Sequence, residues 1–239
     1  VMLDFLTIAT RSRKRGVIEI YPKFIIKKSS DLMIRGGDFY AIWVEELGLW
    51  STDEEDVVRL IDNELDKFKA ENEHKLDSNS NIKVLYMWDA ETGIIDSWHK
   101  YCQKQMRDSF HMLDEKLIFS NAKTNKKDYA SKRLNYPLEQ GPITAYDKLV
   151  STLYSEEERH KIEWAIGSII SGDSKKIQKC MVLYGAAGTG KSTILNIIQQ
   201  LFEGYYSVFD AKALGSSSNS FALEAFKTNP LVAIQHDGD

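Results

Sequence analysis

Residues 179–192 read KCMVLYGAAGTGKS, and no other stretch constrains the fold of this chain so tightly. Positions 185–192 fit the pattern G-x-x-x-x-G-K-S/T at every defined place. Cys180 to Tyr184 reads as a strand leading into the loop. The helix TILNIIQQLF follows, with Ile194, Leu195, Ile197, Ile198 and Leu201 on its buried face. Strand, loop and helix are the context that a phosphate-binding loop needs. Glycines let backbone N–H groups converge on phosphate oxygens where a side chain would block them. The helix N-terminus adds partial positive charge. Lys191 supplies a mobile full charge for the β- and γ-phosphates, and the Ser192 hydroxyl can ligate a nucleotide-bound magnesium ion. The candidate binding stretch is Gly185, Ala186, Ala187, Gly188, Thr189, Gly190, Lys191, Ser192 and Thr193, and the expected ligands are ATP and Mg2+. The competing reading is an ordinary glycine-rich turn.

An acid on the magnesium side is expected at the end of another strand. Residues 230–239, PLVAIQHDGD, supply one. LVAI reads as a buried strand, and Asp237 lies 46 positions after Lys191 (237 − 191). Asp237 is expected to hold the magnesium through water, and Asp239 to orient or deprotonate the attacking water. Asp-Gly-Asp is also good turn chemistry, which is the plainer alternative. His236 reads as incidental rather than as a metal ligand.

Composition narrows the rest. The 239 residues suffice for one large domain or two small ones. A hydrophobic share of 43% and a charged share of 28% are ordinary for a globular chain and exclude collagen-like or wholly disordered architecture. No run of about 18 apolar residues is present, so no membrane span is expected. The apolar start VMLDFLTIAT precedes the basic RSRKR, the reverse of a secretory signal. Cys102 and Cys180 form no CxxC pair, so no zinc ribbon is expected. Cys180 reads as a buried thiol in an apolar run, and a reducing cytosol is the default compartment. The net charge of −4 hides an uneven distribution. Residues 11–28 and 98–133 are rich in Lys and Arg, while 44–77 is strongly acidic. The basic segments are candidates for phosphates of nucleic acid; a solvated surface is the alternative.

Residues 16–26 read as one or two short strands, and 38–50 as a hairpin turning at EELG. A helix follows, capped by Thr52 with Glu55, with Val57, Val58, Ile61, Leu65 and Phe68 on one face. Polar 71–82 reads as a loop. Residues 93–113 contain another helix, and 120–134 shows no period. The main boundary is expected at 136–146, YPLEQGPITAY. A capping box of Ser155 and Glu158 starts a helix with Ile162, Ala165, Ile166, Ile169 and Ile170, which Gly172 ends. The expected division is a mixed α+β accessory region over 1–140, a helical domain over 141–174, and the first part of a P-loop ATPase over 175–239.

The blocks SEEERHKIEWAIGSIISGD, LYGAAGTGKSTILNIIQQLF and NPLVAIQHDGD together resemble phage and plasmid primase-helicases, the superfamily three helicases related to the poxvirus-type primase-helicase. TAYDKLVSTLY to IISGD looks like the accessory domain that family places before its ATPase. The hairpin DFYAIWVEELGLWST resembles a segment found upstream of it. The resemblance implies an α/β, AAA-like P-loop core, an ATP-dependent DNA helicase, translocation on single-stranded DNA and a homo-hexameric ring. It places the protein in the cytoplasm of a phage-infected or plasmid-bearing bacterium. It assigns the phosphate loop to Gly185–Ser192 and the second acidic motif to Asp237, making Lys191, Asp237 and Asp239 the catalytic candidates and Ser192 and Asp237 the metal side. The family commonly sets two acids side by side, whereas Gly238 separates Asp237 from Asp239. The family's sensor Asn, DNA-contacting loop and arginine finger lie downstream of its second motif, so the ATPase core is expected to be truncated here and the chain to be part of a longer primase-helicase. An ATP-binding replication initiator or loader, and another P-loop phosphotransferase such as a small-molecule kinase, are the alternatives.

Overall fold

The computed structural model describes residues 3–25, 28–75, 81–104, 110–215 and 223–236. The described residues form a mixed α/β structure with three small sheets. It divides into two compact units, Val1–Leu113 with Thr124–Ser131, and Asp114–Lys123 with Lys132–Asp239. No helix among the described residues is long and apolar enough to cross a membrane.

Unit one begins with β1 (Leu6–Arg13) and β2 (Val17–Phe24), paired antiparallel. The alternation of Leu6 and Ile20 inward against Arg11 and Lys23 outward gives this ribbon one core face and one wet face. Strands β3 (Leu32–Arg35), β4 (Asp38–Val44) and β5 (Leu49–Ser51) form a second antiparallel sheet. The hairpin expected over 38–50 is therefore present. Its central strand is buried on both faces rather than half-buried. Ile42 and Val44 enter the main core, while Ala41 and Trp43 join Met33, Trp50 and Leu113 in a second cluster. The segment 124–131 accounts for this. The Trp50 N–H donates to the Ala130 carbonyl at 2.8 Å, and Tyr129 stacks on Trp50.

Helix α1 (Glu54–Asn72) is capped by Asp53 and not by Thr52. The Asp53 carboxylate accepts the Glu55 N–H at 3.0 Å, because the helix begins one residue later than the Thr-x-x-Glu pattern implies. Val57, Ile61 and Leu65 are its fully buried residues, with Val58 and Phe68 packed beside them. The reading of 71–82 as a loop needs correction. Helix α1 continues to Asn72, and β6 (Asn81–Val84) pairs parallel with β2, so Ile82 lies beside Ile18. Helix α2 (Ile94–Lys104) closes the core with Trp98, which meets Phe24 at 5.3 Å and Phe5 at 5.8 Å between ring centroids.

Unit two holds α3 (Thr144–Leu153), α4 (Glu156–Ser171), the short α5 (Ser174–Ile177), α6 (Lys191–Leu201), β7 (Tyr206–Val208), the short α7 (Ala211–Gly215) and β8 (Val232–Ile234). The α4 capping box forms as expected: Ser155 accepts the Glu158 N–H, and Glu158 accepts the Ser155 N–H at 2.8 Å. Gly172 closes the helix at φ 76°, a left-handed conformation that glycine adopts without Cβ strain. Ile162 is buried and Ile166 and Ile169 pack beside it, but Ile170 is exposed. The core is Val150, Ile162, Ile194, Ile198, Phe202, Tyr205 and Ile234 with Leu134. Residues 118–120 and 134–136 join it through backbone bonds, Leu134 N–H to Ile118 at 2.7 Å and Ser120 N–H to Tyr136 at 3.0 Å.

The cysteine expectation is half reversed. Cys102 is buried, and that burial pushes its thiol up to about 12. Cys180, expected to be buried, is exposed. The expected strand Cys180–Tyr184 pairs with no described strand, so its apolar side chains have no sheet to pack on. One thiol per chain should therefore react quickly with a maleimide or an aromatic disulfide near pH 8, and two after unfolding in urea. Two fast thiols in the native protein would contradict the burial of Cys102.

Candidate phosphate-binding site

Loop 185–190 joins the extended segment 179–184 to the start of α6. Two glycines bend it as only glycine does easily. Gly188 has φ 80° and Gly190 has φ 84°. A Cβ on Gly190 would also sit 2.7 Å from Leu153 Cδ1, so this residue lets the loop lie against α3.

Gly190 occupies the N-cap of α6 and offers no side-chain cap. The first N–H groups of that helix, on Lys191, Ser192 and Thr193, therefore lack an i−4 acceptor by helix geometry. They point out of the N-terminus of an 11-residue helix, where the dipole favours an anion. Ile194 and Ile198 anchor α6 in the core below. The sequence thus fixes both halves of the site: glycines shape the loop, and the apolar stripe holds the helix behind it.

Lys191 is folded back into the loop. Its Nζ donates to the Gly185 carbonyl at 2.7 Å, to the Ala186 carbonyl at 2.6 Å and to Thr189 Oγ1 at 3.3 Å. Thr189 Oγ1 itself donates to the Ala186 carbonyl at 2.9 Å. The cation thus stands within the loop's own curve, held by neutral acceptors that anionic oxygens would outcompete. Gly185 through Thr189 are exposed, as are Ser192 and Thr193, so the loop is open to a ligand.

The expected second acid lies outside the described residues, as do Gly238 and Asp239. The chain leading to it is described. LVAI is largely realised as β8, parallel to β7 with Tyr206 beside Val232. His236 Nε2 lies 2.8 Å from Gln199 Nε2, so the ring nitrogen accepts from the amide. This engages His236 with α6, two turns or about 12 Å along the helix from Lys191. Among the described residues no group of three or more His, Cys, Asp or Glu could hold a metal ion by itself.

The basic cluster at 123–133 is largely committed to internal contacts. Lys126 pairs with Asp31, Lys132 donates to the Gly204 carbonyl, and Arg133 donates to the Ala122 carbonyl. In 11–28 Arg11 and Arg13 pair with Glu19, whereas Lys23, Lys100 and Lys104 form no ion pair with a described carboxylate; local charge does not reveal an acceptor brought near by the fold.

A scan against protein-family models and searches of curated proteins and of solved structures find no match for this chain.

Proposed function

We propose that the chain carries the nucleotide-binding part of an ATP-dependent DNA helicase of the primase-helicase kind, a hexameric motor on single-stranded DNA. One observation carries the reading: a G-x-x-x-x-G-K-S loop opens directly onto the uncapped N-terminus of α6, with the Lys191 ammonium inside its curve. The parallel β7–β8 pair after α6 is consistent with the start of a P-loop ATPase sheet.

The chemistry assigned to this chain is binding and positioning. Lys191 exchanges two loop carbonyls for the β- and γ-phosphate oxygens, with the helical N–H groups receiving the remaining anionic oxygens. With ATP and magnesium bound, the Ser192 hydroxyl would ligate the ion, which would supply charge neutralisation for phosphoryl transfer. Asp237 would complete the metal side, and Asp239 would position the attacking water.

The reading is tested by fluorescence titration with a labelled ATP analogue and magnesium, then by ATP turnover with and without single-stranded DNA. Nucleotide binding is expected of this chain, and DNA-stimulated turnover of the full-length protein. No nucleotide binding would overturn the site. Turnover indifferent to DNA would favour a phosphotransferase, and tight ATP binding without turnover would favour an initiator or loader that uses ATP as a switch.

A further inference from the structure

Unit one carries a groove of about 540 Å³ whose walls combine cations and aromatic rings. One wall is the Tyr21–Phe24 end of β2 with Arg11 of β1. The register sets Arg11 opposite Glu19 and Ala9 opposite Tyr21, so Arg11, Tyr21 and Lys23 share one face of the ribbon, while Pro22 and Phe24 come from the other. The other wall is α2. Lys100, Tyr101 and Lys104 stand at i, i+1 and i+4, and Ser97 completes the same side of the helix. Two segments far apart in sequence, both basic, thereby converge on one concavity.

The cations are available. Lys23, Lys100 and Lys104 are exposed, and none forms an ion pair with a described carboxylate. Arg11 is held by Glu19 at 2.5 Å and lies over the Tyr21 ring, 4.7 Å from its centroid. Glu19 pairs with Arg11 and Arg13, which hold its carboxyl below the usual range. The lining itself contains no Asp or Glu. An apolar ligand would gain nothing from three unpaired ammonium groups. A compact anion would leave the aromatic walls unused.

We infer that this groove binds single-stranded DNA, the lysines taking successive phosphates and the Tyr21–Arg11 pair offering a stacking surface for a base. Electrostatic tracking of the backbone combined with base stacking is the general physics of single-strand recognition. A concave lining favours splayed bases over a duplex, whose stacked bases present no free face. The inference takes from the proposed function only the identity of the polymer, and it involves neither ATP nor the phosphate loop.

The test is fluorescence anisotropy of a labelled thymidine oligonucleotide with the whole chain, without nucleotide, across 50–200 mM salt. Each single-strand phosphate contact contributes about 0.7 to the salt slope. The triple variant Lys23→Ala, Lys100→Ala, Lys104→Ala should flatten that slope by about 2 and weaken binding about 100-fold at 0.1 M salt. Tyr21→Ala should weaken it about tenfold with the slope unchanged, and Tyr21→Phe should restore it. Thermal unfolding of each variant checks that the fold is intact, Tyr21 being partly buried against the core. An unchanged slope in the triple variant overturns the inference. So does heparin competing as well as the oligonucleotide while Tyr21→Ala has no effect, which would describe a general polyanion surface. Lys191→Ala, run alongside, should bind the oligonucleotide like the parent. Loss of ATP turnover in that variant with groove binding retained, or the reverse, separates failure of this inference from failure of the nucleotide reading.

Discussion

Lys191→Ala is expected to reduce ATP turnover of the full-length protein by 10²-fold or more while leaving it folded. Among the described residues the side chain is tied to acceptors of its own loop, at 2.6–3.3 Å. Surface substitutions of this kind usually change stability by no more than about 0.5 kcal/mol. Removing a charged donor aimed at the developing phosphoryl charge has a different scale. A single preorganised donor of this type is worth about 3–4 kcal/mol, or roughly 10²–10³ in rate. The measurement is steady-state turnover beside a urea unfolding curve for each protein. The midpoint should coincide with the parent's and the rate should collapse. A rate like the parent's would remove Lys191 from the chemistry and return 185–192 to the status of a glycine-rich turn.

Trp98→Ala should cost unit one about 3–5 kcal/mol. Trp98 is fully buried, with Phe5, Phe24, Phe39 and Tyr101 around it at centroid distances of 5.3–6.3 Å. Its indole N–H has no hydrogen-bond partner among the described residues. Truncation therefore removes packing and leaves no orphaned acceptor, so cavity formation sets the size of the loss. Against a total domain stability of about 5–15 kcal/mol, a change this large approaches unfolding. Trp98→Phe keeps an aromatic ring in the cluster and should lose much less. The unfolding midpoint in urea, followed by tryptophan fluorescence and by circular dichroism, reads both variants. A Trp98→Ala midpoint within error of the parent would mean that the five-ring cluster does not hold α2 to the sheets.

The elements legible in the sequence are those whose cause is local. The α4 capping box is two side chains satisfying two backbone donors three residues apart, and it forms as the sequence implies. Helix α1 is equally legible in its apolar face, although its cap moved one residue because Thr52 and Asp53 are both able to serve. Strand β6 was hidden. Asn81 and Lys83 look like loop residues, and only the parallel pairing with β2 gives the segment a ladder to join. The reverse error came at 180–184. An apolar run looks like a buried strand, yet Val182 is 79% and Tyr184 99% exposed because no described strand supplies its hydrogen bonds.

The sequence by itself determined the candidate site: the spacing Gly185, Gly190, Lys191, Ser192 and the apolar stripe of α6 are short-range facts, since a phosphate loop is built from consecutive backbone N–H groups. Tertiary structure decided which charges are free. Lys126, Lys132 and Arg133 are spent on Asp31, the Gly204 carbonyl and the Ala122 carbonyl. Lys23, Lys100 and Lys104, from segments more than seventy residues apart, meet around one groove. Availability of a charge depends on which acceptors the fold carries to it, and chain position does not encode that distance.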